Sequence, residues 1–316
     1  MCLARRRRAK IIILAVKITQ LESLIQTFAD YLVYEKRYSE HTILAYRDDL
    51  MDFAGFVRDE FGGMALPDIS PAVVRSWLAS LKEAGLSSRS VNRKISSLRS
   101  FYKYQIRMGV VGQTPMTAII APKSAKRLPV FVERAAMEEL FGDVKFPEDW
   151  EGRTDRLLLT LLYQTGIRLS ELICLKEGQV DSGNRTIKVL GKGNKERVIP
   201  VSAELAGAVQ EYEKQKRVLL EMPDTEVLLV GPKGRKLYPR YVYRAVRAYL
   251  AQVTTIDKKS PHVLRHTFAT HLMNAGAELN SVKELLGHAS LAATQVYTHN
   301  TIEKLKDIYK NAHPKA

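Results

Sequence analysis

Two cysteines, Cys2 and Cys174, are all the thiols in 316 residues. They cannot build a disulfide framework, and Cys174 sits in an apolar helical stretch where a free thiol simply packs. The expected compartment is the cytoplasm. Long hydrophobic runs are also missing. None approaches the roughly 20 apolar residues that cross a bilayer, so no membrane partner is expected. There is no low-complexity tract and no GxxxxGK[ST] loop to cradle a nucleotide. Acid is in short supply: 34 Asp and Glu stand against 49 Lys and Arg, a net charge of +15.

A surplus of that size suits a polyanionic partner, because each phosphate contact releases condensed counterions. Arg5, Arg6, Arg7, Arg8, Lys10 and Lys17 all lie before any acid, and the remainder of the chain is still basic. The opening MCLARRRRAKIIILAVKI imitates a secretory signal, yet IIILAV is short for its apolar core and no small-residue cleavage site follows. Residues 1–18 therefore read as a disordered basic extension, or as translation from a start assigned too far upstream.

From Leu21 onward the pattern is helical. LESLIQTFADYLVYEKR repeats apolar residues at spacings of three and four. Ser39 reads as the N-cap of a second helix that stops at Gly62-Gly63, and Pro71 opens a third that runs to Gly85. The fourth, SSRSVNRKISSLRSFYKYQIRMG, combines an apolar stripe (Ile95, Leu98, Phe101, Tyr102) with Arg89, Arg93, Lys94, Arg99 and Lys103. It holds no acid, and Ser96, Ser97 and Ser100 between the cations permit close approach to a phosphate backbone. A solvated basic face is the bland alternative. Pro115, Pro122 and Pro129 then punctuate a basic segment that reads as an extended linker over 113–130. Beyond it TDRLLLTLLYQTG is apolar nearly all round, as befits a helix in the centre of a core. The alternation in RTIKVLGKGNKERVIPV, either side of Gly191 and Gly193, predicts a β-hairpin.

PHVLRHTFATH, residues 261–271, poses the sharpest question. His262, Arg265 and His266 fall at i, i+3 and i+4, on one face of a helix whose other residues are largely apolar. A zinc hydrolase of this spacing needs Glu directly after the first His, where this sequence has Val263, and Arg265 would set a fixed cation beside the metal. No metal is therefore expected. A phosphate fits better, because Arg168 in TGIRLSEL follows the apolar helix directly, and a guanidinium fork suits a phosphate. Lys192 stands in the GKG turn of the hairpin. LGHASLAATQVYTHN adds His288 and Tyr297. Taken singly, each of these has a structural reading: an ion-pair partner, a helix cap, a core aromatic.

In their order, TGIRLSEL, LGKGNKERVIP, PHVLRHTFATH and LGHASLAATQVYTH resemble the motifs of the tyrosine recombinase/integrase family, most closely its Xer type. The similarity runs from about residue 20 and takes in SEHTILAYRDDL and SVNRKISSLRSFYKY. It implies a mainly α chain of two domains. A helical, SAM-like DNA core-binding domain would cover 19–112. A mostly helical catalytic domain with a small β-sheet (the DNA breaking-rejoining fold) would cover 131–316 and end in a partner-contacting helix. It further implies a catalytic set of Arg168, Lys192, His262, Arg265, His288 and the nucleophile Tyr297, with Glu171 orienting an arginine from one helical turn away. Tyr46, Arg47, Arg89, Arg93, Lys94, Arg99 and Lys103 are the expected DNA contacts.

The implied reaction is a metal- and ATP-independent strand exchange through a 3′-phosphotyrosyl intermediate, with no cofactor. The implied partners are double-stranded DNA bearing a short inverted repeat, a tetramer on two such sites formed with itself or a paralogue, and a DNA translocase as regulator. The implied role is resolution of chromosome dimers at cell division. An integrase of a mobile element or a type IB topoisomerase would use the same chemistry. A catalytically idle DNA-binding protein would keep the basic helices and have no need of Tyr297 together with Arg168 and Arg265.

Overall fold

The computed structural model describes residues 20–123, 130–191, 196–221, 223–287 and Thr294. The basic extension, Lys192, His288, Tyr297 and the C-terminal segment lie outside the described residues. The chain divides into two compact units at Lys126 and Arg127.

The first unit is four helices: α1 (20–34), α2 (Glu40–Phe61), α3 (Pro71–Glu83) and α4 (Ser88–Arg107). Three of them begin or end where the sequence has a cap. Ser39 precedes α2, Gly62 closes it with φ +68, Pro71 starts α3, and the Ser87 hydroxyl accepts the Ser90 amide at the head of α4. Leu21, Ile25, Phe28 and Leu32 of α1 are buried against Phe53, Trp77, Ile95, Leu98 and Phe101. A charged seam lies within this packing. Asp49 of α2 is 1% exposed. It accepts from Arg93 at 2.7 Å and from the Ser97 hydroxyl at 2.8 Å, and it pairs with Lys94 at 3.2 Å. Lys94 also reaches Asp52 at 2.8 Å and lies over the Trp77 ring.

The segment expected as linker from residue 113 behaves differently up to about residue 122. A short helical turn, Pro115–Ala118, buries Met116, and Ile119 follows into the same core. The Pro122 carbonyl accepts from Asn92, and that of Ile119 accepts from Arg99 at 2.8 Å. Its prolines stiffen the chain, but its apolar side chains find partners on α3 and α4 and dock there.

The second unit contains α5 (Arg134–Gly142), α6 (Trp150–Thr165), α7 (Leu169–Ile173), α8 (Ala203–Leu219), α9 (Pro239–Val253), α10 (Pro261–Asn274) and α11 (Leu279–Leu286). A three-stranded antiparallel sheet adds β1 (Val180–Asp181), β2 (Thr186–Leu190) and β3 (Glu196–Pro200) in the order β1-β2-β3. Helix α6 is central, with Leu157, Leu158, Leu159, Leu161 and Leu162 all buried. Its start is fixed by the Asp149 cap and by Gly152, where any Cβ would collide with the Pro147 carbonyl. Ile187 pairs with Ile199 across the hairpin and both face the core.

Two charged groups in these cores give separate tests. Asp49→Ala leaves Lys94 with Asp52 alone and strips Arg93 and Ser97 of their acceptor; breaking a buried pair costs about 3–5 kcal/mol. The expected outcome is a large fall in the denaturation midpoint of the first unit, read from Trp77 fluorescence in a Trp150→Phe background. Asp155, which accepts from the Tyr241 hydroxyl at 2.9 Å, is pushed up to about 6, chiefly by burial. The folded state therefore favours its protonated form. That contribution is present below pH 4 and lost as pH rises through 6. Asp155→Asn should raise the melting temperature at pH 8 and flatten its dependence on pH between 4 and 7.

Candidate active site

The site is assembled around the end of α11. A helix leaves its last carbonyls without intrahelical partners and carries partial negative charge there. Here three successive carbonyls are taken by guanidiniums. Arg197 of β3 donates Nε to Leu285 at 2.9 Å, Arg265 of α10 donates Nη2 to Leu286 at 2.5 Å, and Arg168 donates Nη2 to Gly287 at 2.7 Å. Gly287 adopts φ +62, and an added Cβ would lie 3.0 Å from Arg197 Cδ. The next residue in the sequence is His288.

Local folding delivers each arginine. Gly166 ends α6 in the left-handed region, where a Cβ would strike the Phe268 ring, and its carbonyl accepts Nη1 of Arg265 at 2.5 Å. The turn then sets Arg168 at the N-cap of α7, with its own amide donating to Glu171 Oε2 at 2.9 Å. Arg265 is 3% exposed, one helical turn from His262, which is exposed and meets His266 edge-to-face with ring centroids 4.2 Å apart. His271 points elsewhere. Its Nδ1 pairs with the Tyr163 hydroxyl at 3.0 Å and its half-buried ring packs on Phe131.

Glu171 is the one carboxylate shared by Arg168 and Arg197. Oε1 accepts Arg168 Nη1 at 2.8 Å and Arg197 Nη1 at 2.9 Å, while Oε2 accepts Arg197 Nη2 at 2.7 Å. Burial opposes its charge, but these hydrogen bonds outweigh burial and hold it down to about 2. Two guanidiniums on one carboxylate leave positive charge over, close to a third guanidinium. Such a cluster can accept an anion through flat, charge-assisted hydrogen bonds.

Of the residues expected at the site, the structure brings Arg168, Arg265 and Glu171 together at one helix end, with His262 one turn from Arg265. Arg197 was not among them. The available signal was its inward position on β3, opposite Val189 and in step with buried Ile199, where an arginine needs an acid inside.

On the first unit the expected DNA contacts separate. Arg47, Arg89 and Lys103 are exposed, and Tyr46 is half-buried, edge-to-face with Tyr38. Arg93 and Arg99 are tied at one end to Asp49 and to the Ile119 carbonyl. Lys94 is 9% exposed and held between Asp49 and Asp52, so it joins α4 to α2 and is corrected from a surface contact to a core ion pair. Ser97, fully buried on Asp49, is likewise not a surface hydroxyl.

Residues 135–304 match the phage integrase family, and residues 25–109 match the phage integrase N-terminal SAM-like domain. The tyrosine recombinase XerC of Oceanobacillus iheyensis is 42% identical over 302 residues, covering 94% of this chain and 98% of the relative. The chain belongs to the tyrosine recombinase family. The recombinase is also 38% identical over 301 residues to the tyrosine recombinase XerC of Bacillus subtilis, covering 94% of this chain and 98% of that one. Among solved structures, the XerH site-specific recombinase bound to palindromic difH substrate in a post-cleavage complex shares the fold, with a TM-score of 0.73 at 22% identity. That match covers 96% of this chain and 89% of the other.

Glu171→Gln tests the shared carboxylate. The amide would turn N–H donors toward guanidiniums that can only donate. Losing a hydrogen bond to a charged group costs about 1.5–3 kcal/mol, so strand cleavage should slow roughly 10- to 150-fold. The rate of covalent protein–DNA adduct formation measures it.

Proposed function

We propose that this recombinase cuts and rejoins double-stranded DNA through Tyr297. The phenol oxygen attacks a phosphodiester phosphorus, an O–P bond forms to the 3′ side, and the 5′-oxygen leaves. At pH 7 a phenol of pKa about 10 is only ~0.1% ionised, a deficit of roughly 4 kcal/mol. His262 takes or orients that proton. Arg168, Arg265 and His288 hold the charge that grows on the non-bridging oxygens, a role worth about 3–4 kcal/mol per donor. Lys192 gives the departing 5′-oxygen its proton. The phosphotyrosyl ester conserves the bond, so joining to a different 5′-hydroxyl needs no ATP.

One observation carries the reading. Arg265 and Arg168 bond to the adjacent carbonyls of Leu286 and Gly287, immediately before His288 in the chain. Two family arginines and the start of the fourth motif are thereby gathered at one point.

The resemblance to XerC relatives over nearly the whole chain supports resolution of chromosome dimers at a short inverted repeat. The working assembly is a tetramer on two DNA sites, with itself or a paralogous recombinase, under a DNA translocase as regulator. It would act in the cytoplasm, on the nucleoid. Among the described residues no helix is long and apolar enough to cross a membrane. The DNA face of the first unit is assigned to Tyr46, Arg47, Arg89, Arg93, Arg99 and Lys103. Domain limits of 19–112 and 131–316 are kept, with the stretch up to residue 122 docked on the first. Integration of a mobile element is the second reading, since phage integrases share the family model.

The test is trapping on a nicked duplex carrying the inverted repeat, in EDTA. Wild type should give an adduct that survives SDS, and Tyr297→Phe should give none while binding the duplex equally. Specific binding without an adduct from either protein, even with a paralogue added, would leave an idle DNA-binding protein.

A further inference from the structure

The six residues implied by the family motifs do not include Arg197, yet it touches both structures that hold the phosphate-binding arginines. Its side chain donates twice to Glu171, at 2.9 and 2.7 Å, and once to the Leu285 carbonyl at 2.9 Å. The side chain is 10% exposed, and every donor group of the guanidinium is thus directed inward. No other side chain on β2 or β3 hydrogen-bonds outside the hairpin among the described residues.

We propose that Arg197 is a positioning residue for the scissile phosphate, acting by dividing the charge of Glu171. With Arg197 present, each Glu171 oxygen serves two donors, and Arg168 receives only one of the oxygens on its guanidinium. Its Nη2 is left for the Gly287 carbonyl. Without Arg197 the buried carboxylate has one cation to turn to. It would close on Arg168 as a bidentate pair, the preferred geometry of guanidinium and carboxylate. Arg168 would then be neutralised and drawn from the helix end. At the same time the Leu285 carbonyl would lose its donor, loosening the turn that leads into His288. Arg197 therefore keeps Arg168 charged and aimed without meeting the substrate. The inference rests on the phosphodiester reading above.

The experiment compares single-turnover adduct formation on two nicked duplexes. One carries an ordinary scissile phosphate and the other a methylphosphonate, in which an uncharged methyl replaces one non-bridging oxygen. Arg197→Lys keeps a cation but offers one nitrogen, which cannot reach both Glu171 oxygens and Leu285 together. On the ordinary phosphate it should be roughly 10- to 100-fold slower than wild type, the scale of a lost charged hydrogen bond. On the methylphosphonate, where there is less charge to hold, the ratio to wild type should shrink to within about threefold. Duplex affinity and melting temperature should change little. If the lysine variant does not fold, Arg197→Gln is used instead. The double variant Arg197→Gln, Glu171→Gln should be no slower than the slower single, because removing the acid removes what Arg197 restrains.

Equal slowing on both substrates, or additive effects in the double variant, would overturn the proposal and leave Arg197 a fold residue. Failure of wild type to form any Tyr297-dependent adduct would instead overturn the phosphodiester reading, and this inference with it.

Discussion

The carbonyls at the end of α11 lack intrahelical partners, and the second unit is organised by what takes them up. A helix terminus concentrates several such acceptors, and that of buried Leu286 would be costly to leave unpaired. This chain answers with arginines from three separate elements: the N-cap of α7, the third strand and the middle of α10. Each is tethered to the next residue along one turn, so three parts of the chain distant in sequence acquire a common origin. Gly166 and Gly287 follow from the same constraint. One ends α6 close enough for its carbonyl to meet Arg265, and the other lets the Arg197 stem lie against the backbone. Carbonyl dipoles hold all three guanidiniums without cancelling their charge, and the Glu171 carboxylate offsets part of it on Arg168 and Arg197.

The two units use buried carboxylates to different ends. Asp49 gathers Arg93, Lys94 and Ser97, and its cations bind one helix to another. Glu171 also has two cations, and on each acid one of them is partly exposed: Arg93 keeps 47% of its side chain in solvent and Arg168 32%. The difference lies in the second bond of each: Arg93 takes the Ala45 carbonyl within α2, whereas Arg168 takes the Gly287 carbonyl at the end of α11. Both lie in a strongly basic chain, and net charge alone would not distinguish them.

Much of the fold could be read from the residues, because local chemistry decided it. Ser39, Pro71 and Gly62 mark helix ends through capping positions and backbone angles that depend on few neighbours. The hairpin showed in its alternation for the same reason. Arg168 and Arg265 were legible through motif order. Lys94 was not, because whether a cation on an amphipathic helix faces solvent depends on an acid 42 or more residues away, here Asp49 and Asp52. The docked stretch after residue 113 was hidden behind its prolines, which signal irregular backbone and say nothing of what Met116 and Ile119 touch. Arg197 escaped because its partner acid belongs to another motif, 26 residues earlier.

The start of the second unit is fastened to α10. The Val132 amide, fully buried, donates to the Thr267 hydroxyl at 2.9 Å, and Thr267 in turn donates to the Val263 carbonyl. Phe131 beside it packs on His271 of the same helix. The first residues of the second unit are thus clasped to the helix that carries the buried arginine, so loosening either would free the other.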